Sequence, residues 1–235
     1  MSIIGINGYS GSGKDTVGKV IQYLTTDIRY PEYFSIEDIL KHIPDTPSKH
    51  NPWGIKKWAG KLKTIASILT GIPVEKFEDQ QFKNTTLGRE WCYPTEWQGR
   101  EHWVEMSVRE FLQKLGTEGL RNGLHENIWV NALMADYHDD ETLSKLGSYM
   151  GKPHPPCKWV ITDTRFPNEA KAIKERGGII IRVIRPGVEP INNHPSETSL
   201  DDWNFDYVIN NDKDIENLID QMQVIMHKEK LLTYA

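Results

Sequence analysis

Residues 1–16 read MSIIGINGYSGSGKDT, an apolar run followed by a glycine-rich turn. Ile3, Ile4 and Ile6 form a short apolar run that ends abruptly in Gly8-Tyr9-Ser10-Gly11-Ser12-Gly13-Lys14-Asp15-Thr16. A buried strand running into a glycine-rich turn and then a helix is the context of a phosphate-binding loop. The glycines let successive backbone N–H groups of Gly11, Ser12 and Gly13 turn inward on phosphate oxygens. The helix that follows adds its positive end, and Lys14 adds a point charge. Gly8 to Lys14 fits the spacing G-x-x-x-x-G-K, but Asp15 stands where Ser or Thr is usual, and Thr16 follows one residue later. A glycine-rich turn before an ordinary helix is the competing reading, and it leaves Lys14 without a purpose.

The chain has 235 residues, 38% hydrophobic and 26% charged, enough for one large α/β domain with insertions, or two small ones. A net charge of -5 gives no overall basic field to hold a nucleic-acid polymer, although a local basic pocket for a small anion is compatible with it. No apolar stretch approaches the ~20 residues of a membrane span, and no signal-peptide pattern follows Met1, so a cytoplasmic protein is expected. The two cysteines, Cys92 and Cys157, suggest neither a disulfide framework nor a metal cluster.

Val17, Val20, Ile21 and Leu24 share one face of a helix over 15–26. Residues 31–53 read as an irregular excursion. Residues 54–71 read as a short strand turning into a helix, stopped by Gly71 and Pro73, with Lys61 and Lys63 at its start. Periodicity alone favours both lysines as solvated surface groups. Residues 79–103, with Trp91, Trp97 and Trp103, look like an insertion, a hairpin in form, whose aromatics either stack on a base or, the favoured reading, pack on the body. Residues 107–139 read as helical. Ser107 caps a first helix, Gly116-Thr117-Glu118 breaks it and caps a second, and a third runs through Ile128, Trp129, Ala132 and Leu133. Arg109, Arg121 and Trp129 are either a nucleotide cradle or an ion-paired surface with a core tryptophan, and the pattern does not separate these.

Residues 140–157 are loop-like. Lys158 to Asp163 then reads as a strand carrying Asp163 at its end, where a Walker-B carboxylate belongs. Arg165 follows within reach of the same space, with an ion pair to Glu169 as its bland alternative. Pro167 starts a helix closed by Gly177-Gly178. Ile179 to Ile184 is a further apolar strand, and 187–203, with His194-Pro195-Ser196-Glu197, reads as a mobile lid rather than a metal site. Phe205 to Ile209 is a last strand, after which Asp212 or Asp214 caps a C-terminal helix. These segments predict a three-layer α/β domain around a mostly parallel sheet of about five strands, beginning near Ile3, Ile55, Lys158, Ile179 and Phe205.

Taken together, GYSGSGKDT at 8–16, WAGKLK at 58–63, REFLQKLGTEGLR at 109–121, Trp129, DTRFPNEA at 163–170, VIRPG at 183–187, HPSE at 194–197 and the Asn210-Asn211-Asp212 turn resemble the deoxynucleoside monophosphate kinases of large bacteriophages. That family lies in the nucleoside-monophosphate-kinase branch of P-loop proteins, and G-x-G-K-x-T is how such kinases write the loop. The resemblance implies a single P-loop kinase domain over 1–235, with insertions near 31–53 and 79–103, a helical acceptor region at 107–139 and a lid at 187–203. It implies transfer of the ATP γ-phosphate to a deoxynucleoside monophosphate with Mg²⁺, in the host cytoplasm if the chain is phage-encoded. Lys14, Asp163 and Arg165 would be catalytic. Gly11 to Thr16 and Arg185 would hold ATP, with Thr16 and Asp163 on the metal. Lys63, Arg109, Thr117, Arg121, Trp129 and Glu169 would hold the acceptor. The expected partners are these small molecules alone, with neither nucleic-acid polymer nor membrane, and a homodimer is admissible.

The physics agrees, since phosphoryl transfer asks the protein chiefly to align two anions and neutralise the moving charge. Rival readings are a dephospho-coenzyme A kinase-like enzyme with the same loop, or a P-loop GTPase or ATPase. The absence of an N-K-x-D motif weighs against the GTPase, and the acidic, short chain against a nucleic-acid motor.

Overall fold

A computed structural model describes residues 2–137, 158–192 and 194–232, and the chain divides into two compact units. The first comprises residues 1–58 and 133–235, the second residues 59–132. The loop expected at 140–157, and Cys157 with it, lies outside the described residues.

The first unit is built on a five-stranded sheet in the order β2-β5-β1-β6-β7. The strands are β1 (Ile3–Asn7), β2 (Trp53–Lys56), β5 (Lys158–Ile161), β6 (Ile179–Ile184) and β7 (Tyr207–Asn210). Every pairing is parallel, with Ile3 opposite Trp159, Ile4 opposite Ile179, Trp53 opposite Lys158 and Ile181 opposite Tyr207. Strands buried on both faces read as nearly continuous apolar runs, which explains the composition of β1 and β5. Helices α1 (Lys14–Thr25) and α8 (Ile215–Lys228) cover one face, where Val17, Val20, Ile21, Leu218 and Met222 pack on Ile4, Ile6, Val160 and Ile181. Helix α6 (Pro167–Lys174) packs on β1 and β6 from the other side through Ile173. Of the two expected caps for α8, Asp214 is the one that accepts, from the N–H of Asn217.

The 31–53 excursion contains a helix, α2 (Ile36–His42), capped by Ser35 and contributing Ile39 and Leu40 to the core. Its signal was the i, i+3, i+4 spacing of those apolar residues, diluted by flanking Pro and Asp. The segment 187–203 carries a one-turn helix, α7 (Pro195–Thr198), capped by the His194 ring accepting from the N–H of Ser196.

The second unit holds α3 (Gly60–Thr70) and the antiparallel hairpin β3 (Tyr93–Trp97) and β4 (Arg100–Val104), closed by Gln98 and Gly99 in the left-handed conformation a two-residue hairpin turn requires. Trp91 packs edge-on against Phe111, 4.9 Å between ring centres, whereas Trp103 is exposed. Gly116 does not break the helix as its sequence suggests. Helix α4 (Val108–Gln113) runs on without interruption into a π-helix over Lys114–Asn122, so 108–122 is one rod with a widened end. Packing overrides the breaker propensity here: a Cβ on Gly116 would lie 2.7 Å from Leu62 of α3, so the glycine is a contact surface rather than a stop. Helix α5 (Ile128–Met134) follows.

Candidate active site

In an open parallel sheet ligands bind beyond the carboxyl ends of the strands, where strand order reverses. That end of this sheet collects the loop 8–13 after β1, Lys57 after β2, Thr162 to Arg165 after β5, Arg185 after β6 and Asn211 after β7.

Gly13 is the residue on which the loop turns. Its φ of 99° is left-handed, and a Cβ there would fall 2.4 Å from Asn211 Nδ2, so any other residue would be strained and would collide. The Asn211 amide donates to the Ser12 carbonyl (2.8 Å), the Ser12 N–H donates to the Tyr9 carbonyl (3.1 Å), and Arg185 Nη1 donates to the Gly11 carbonyl (3.4 Å). No side chain caps α1 at Gly13, which leaves the first N–H groups of the helix directed at the loop and suited to an anion.

Lys14 is buried, and its ammonium donates to the Tyr9 carbonyl (2.7 Å). Burial, and then the positive charge of Arg165, lower its pKa to about 8, against the opposing pull of Asp15, Glu197 and Asp163. Desolvation works against the charge of Asp15. Lys57 (Nζ to Oδ1, 3.4 Å), the hydroxyl of Thr162 (2.7 Å) and Lys14 outweigh it and hold that carboxyl below its ordinary value. Asp15 therefore straps the start of α1 to the ends of β5 and β2 and is not a helix cap. Thr16 is exposed on the first turn of α1.

Asp163 lies two residues past the end of β5 rather than within the strand, and its Oδ1 accepts the N–H of Trp58 (2.7 Å). The guanidinium of Arg165 donates to Glu197 (2.5 Å) and to the Ser196 carbonyl (3.1 Å). The alternative pairing of this guanidinium with Glu169 does not form. The Glu169 carboxylate is buried and accepts the backbone N–H groups of Arg165 (2.8 Å) and Phe166 (3.1 Å), because at the third position of α6 it reaches back to cap that helix.

In the second unit Lys63 is only 8% exposed and is paired with Glu78 (2.5 Å), so the solvated-surface reading fails for it, whereas Lys61 is exposed. Arg109 lays its fork on the side-chain oxygens of Asn84 (3.2 Å) and Gln80 (3.4 Å). Thr117 and Arg121 are buried on the π-helix, and Arg121 donates to the Glu126 carbonyl (3.2 Å). Trp129 is 5% exposed, with its indole N–H donated to the Gly116 carbonyl (2.9 Å). The structure thus gathers Lys14, Asp15, Asp163, Arg165 and Arg185 at one end of the sheet. It places Thr117, Arg121 and Trp129 on or against the π-helix.

Two basic residues at the sheet's carboxyl end escaped the pattern reading. Lys57 directly follows β2, the position in its strand that should have marked it. Arg182 interrupts β6, a strand that sequence pattern takes as apolar throughout, and a charge within a buried parallel strand announces a partner.

A family profile for deoxynucleotide monophosphate kinases matches residues 71–222. The chain is 36% identical over 230 residues to a provisionally named deoxynucleotide monophosphate kinase of Acanthamoeba polyphaga mimivirus, covering 94% of each chain. The chain belongs to the deoxynucleotide monophosphate kinase family. The deoxynucleoside-5'-monophosphate kinase of Escherichia phage T5 is 26% identical over 225 residues, 84% of each chain, and the deoxynucleotide monophosphate kinase of Enterobacteria phage T4 is 31% identical over 119 residues, 51% of this chain and 45% of the other. Membership makes the chain an enzyme and does not favour the coenzyme A-precursor kinase, GTPase or ATPase readings. Among the described residues no helix of this kinase is long and apolar enough to cross a membrane.

Proposed function

We propose that this kinase transfers the γ-phosphoryl group of ATP to the phosphate of a deoxynucleoside monophosphate, giving ADP and the deoxynucleoside diphosphate. The observation that carries this reading is the buried, pKa-lowered Lys14 on a glycine loop at the carboxyl end of the sheet, in the same electrostatic field as Asp15, Asp163 and Arg165. ATP phosphates are held by the N–H groups from Gly11 to Thr16, by Lys14 and by Arg185. The acceptor is held by residues of the second unit, Lys63, Arg109, Thr117, Arg121 and Trp129, and Glu169 keeps Arg165 in place by fixing its backbone. The segment 187–203 serves as a lid over one kinase domain that carries insertions near 31–53 and 79–103 and a helical acceptor region at 107–139.

A hydroxyl and a carboxylate suit Mg²⁺, which takes one or two protein oxygens and completes its shell with phosphate and water. Thr16 and Asp163 would hold it, and when bound it would neutralise charge on the donor phosphates. An acceptor phosphate oxygen attacks the γ-phosphorus, the bond from that phosphorus to the β–γ bridging oxygen breaks, and ADP departs with its electron pair. Lys14 and Arg165 meet the charge that spreads during the transfer, the planar fork of Arg165 matching two oxygens at once.

A coupled ADP-release assay across the four deoxynucleoside monophosphates and their ribose counterparts tests this. ADP formation strictly dependent on an added deoxynucleoside monophosphate and on Mg²⁺ is the expected result. ADP formation from ATP alone, or none with any acceptor, overturns it.

A further inference from the structure

Arg182 is the charged residue in the strand IIIRVI, and its side chain is 12% exposed. A guanidinium largely removed from water is costly unless its donors are paired. Here each face leads to a different part of the site. Nη1 donates to the side-chain oxygen of Asn7, the last residue of β1, whose amide in turn donates to the Thr164 carbonyl (2.7 Å), between Asp163 and Arg165. Nη2 donates to Asp201 (2.9 Å), in the segment that also carries Glu197, the partner of Arg165. The guanidinium carbon lies 4.7 Å from the centre of the Tyr9 ring and 5.5 Å from that of Phe205. Tyr9 is not a passive wall, because its carbonyl accepts both the Lys14 ammonium (2.7 Å) and the Ser12 N–H (3.1 Å).

We propose that Arg182 is a positioning residue for phosphoryl transfer. By gripping the Tyr9 ring, the Asn7 amide and the Asp201 carboxylate, it fixes the carbonyl that aims Lys14 and ties the phosphate loop to the segment bearing Glu197. The inference rests on the reading of Lys14 as a ligand of the donor phosphates. It acts through the loop, so its signature falls on the donor side. A lysine in its place keeps the charge for Asp201 but cannot make two directed bonds while stacking flat on a ring.

Steady-state kinetics with ATP and the best deoxynucleoside monophosphate, each varied in turn, decide the matter in Arg182→Lys, Tyr9→Leu, Asp201→Asn and the Arg182→Lys/Asp201→Asn double variant. In Arg182→Lys the KM for ATP should rise at least tenfold while the KM for the acceptor stays within twofold, a split that general loosening of the fold would not produce. Tyr9→Leu, which keeps the carbonyl but removes the ring, should show the same split. Asp201→Asn should raise the ATP KM by a few-fold alone and by clearly less than that in the Arg182→Lys background. An ATP KM within twofold of the parent in folded Arg182→Lys, equal rises in both KM values, or additive effects of the two substitutions would overturn the proposal. If no Arg182 variant folds, Tyr9→Leu decides by itself: the donor-side split upholds the proposal and a parental ATP KM sinks it. Lys14→Met separates the two levels. Parental kinetics in that variant remove the donor-site reading itself, whereas a crippled Lys14→Met beside normal Arg182→Lys and Tyr9→Leu removes only the role of Arg182.

Discussion

A buried lysine whose pKa lies near 8 is a group ready to gain from an anion and able to lose its charge within an accessible pH range. Because kcat/KM reports the free enzyme, kcat/KM for ATP should fall as pH rises through about 8, while kcat should hold to higher pH if, as proposed, a donor phosphate beside Lys14 favours the ammonium in the complex. Lys14→Met should flatten that alkaline limb and leave little turnover. The linkage sign is also testable. A folded-state value lowered from 10.5 means the native protein binds fewer protons than the unfolded chain between about 8 and 10.5, so this group weakens stability below that window and the penalty is relieved as pH climbs through it. Lys14→Met should therefore raise Tm at pH 7 and lose that advantage at pH 10, as thermal melts at the two pH values would show. Arg165 offers the second test at this scale. If its fork meets charge in the transfer, Arg165→Lys should lower kcat on the order of 10³ with little change in either KM. A kcat within a few-fold of the parent would leave Arg165 only its pairing with Glu197.

Among the elements, the π-helix carries the sharpest expectations. The widened turn brings Gly116 against Leu62 on one side and presents its carbonyl to Trp129 on the other. Gly116→Ala should cost about 1–3 kcal/mol through overpacking, and Trp129→Ala about 3–5 kcal/mol through the cavity it leaves, both read from denaturant titration. Trp129→Phe is the more telling variant, since it keeps most of the packing and orphans the Gly116 carbonyl; a raised acceptor KM in that folded protein would assign Trp129 to binding as well as to the core. The same element shows why sequence legibility varied. Strands β1, β5 and β6 were plain because burial on both faces writes itself as an apolar run, and α8 because its acidic cap precedes a long periodic face. The continuous rod over 108–122 was hidden, because Gly-Thr-Glu has the composition of a stop and only Leu62, remote in sequence, turns it into a contact. Helix α2 was diluted by the proline and aspartate around it.

For the whole molecule, the division into two units suggests that the two substrates leave separate footprints. A non-hydrolysable ATP analogue should protect amides of residues 8–16 and 162–165 from hydrogen exchange, and the acceptor nucleotide should protect residues 63 and 109–121. Protection by the acceptor confined to the first unit would remove the proposed acceptor residues. At this scale the sequence conveyed the number of strands and their starting points but not their order. Order is a matter of which apolar run lies beside which, and Ile3 opposite Trp159 leaves no mark on either residue. The partners of the site were hidden for the same reason: Asp201 for Arg182 and Glu197 for Arg165 are chosen by the fold.

That strand order has a consequence for how the chain is made. Strand β1, buried along all five residues, is flanked in the finished sheet by β5 and β6, so it has no sheet neighbour until residues some 150 positions later have been made. Synthesis at about 5–20 residues per second means the segment IIGIN waits roughly 8–30 s for residue 159. During that interval an apolar strand with two open edges is free to pair with another nascent copy of itself. Newly made enzyme should therefore depend on assistance from a chaperone that sequesters extended apolar segments, and yields on refolding should fall steeply with protein concentration even though the completed sheet hides the strand entirely.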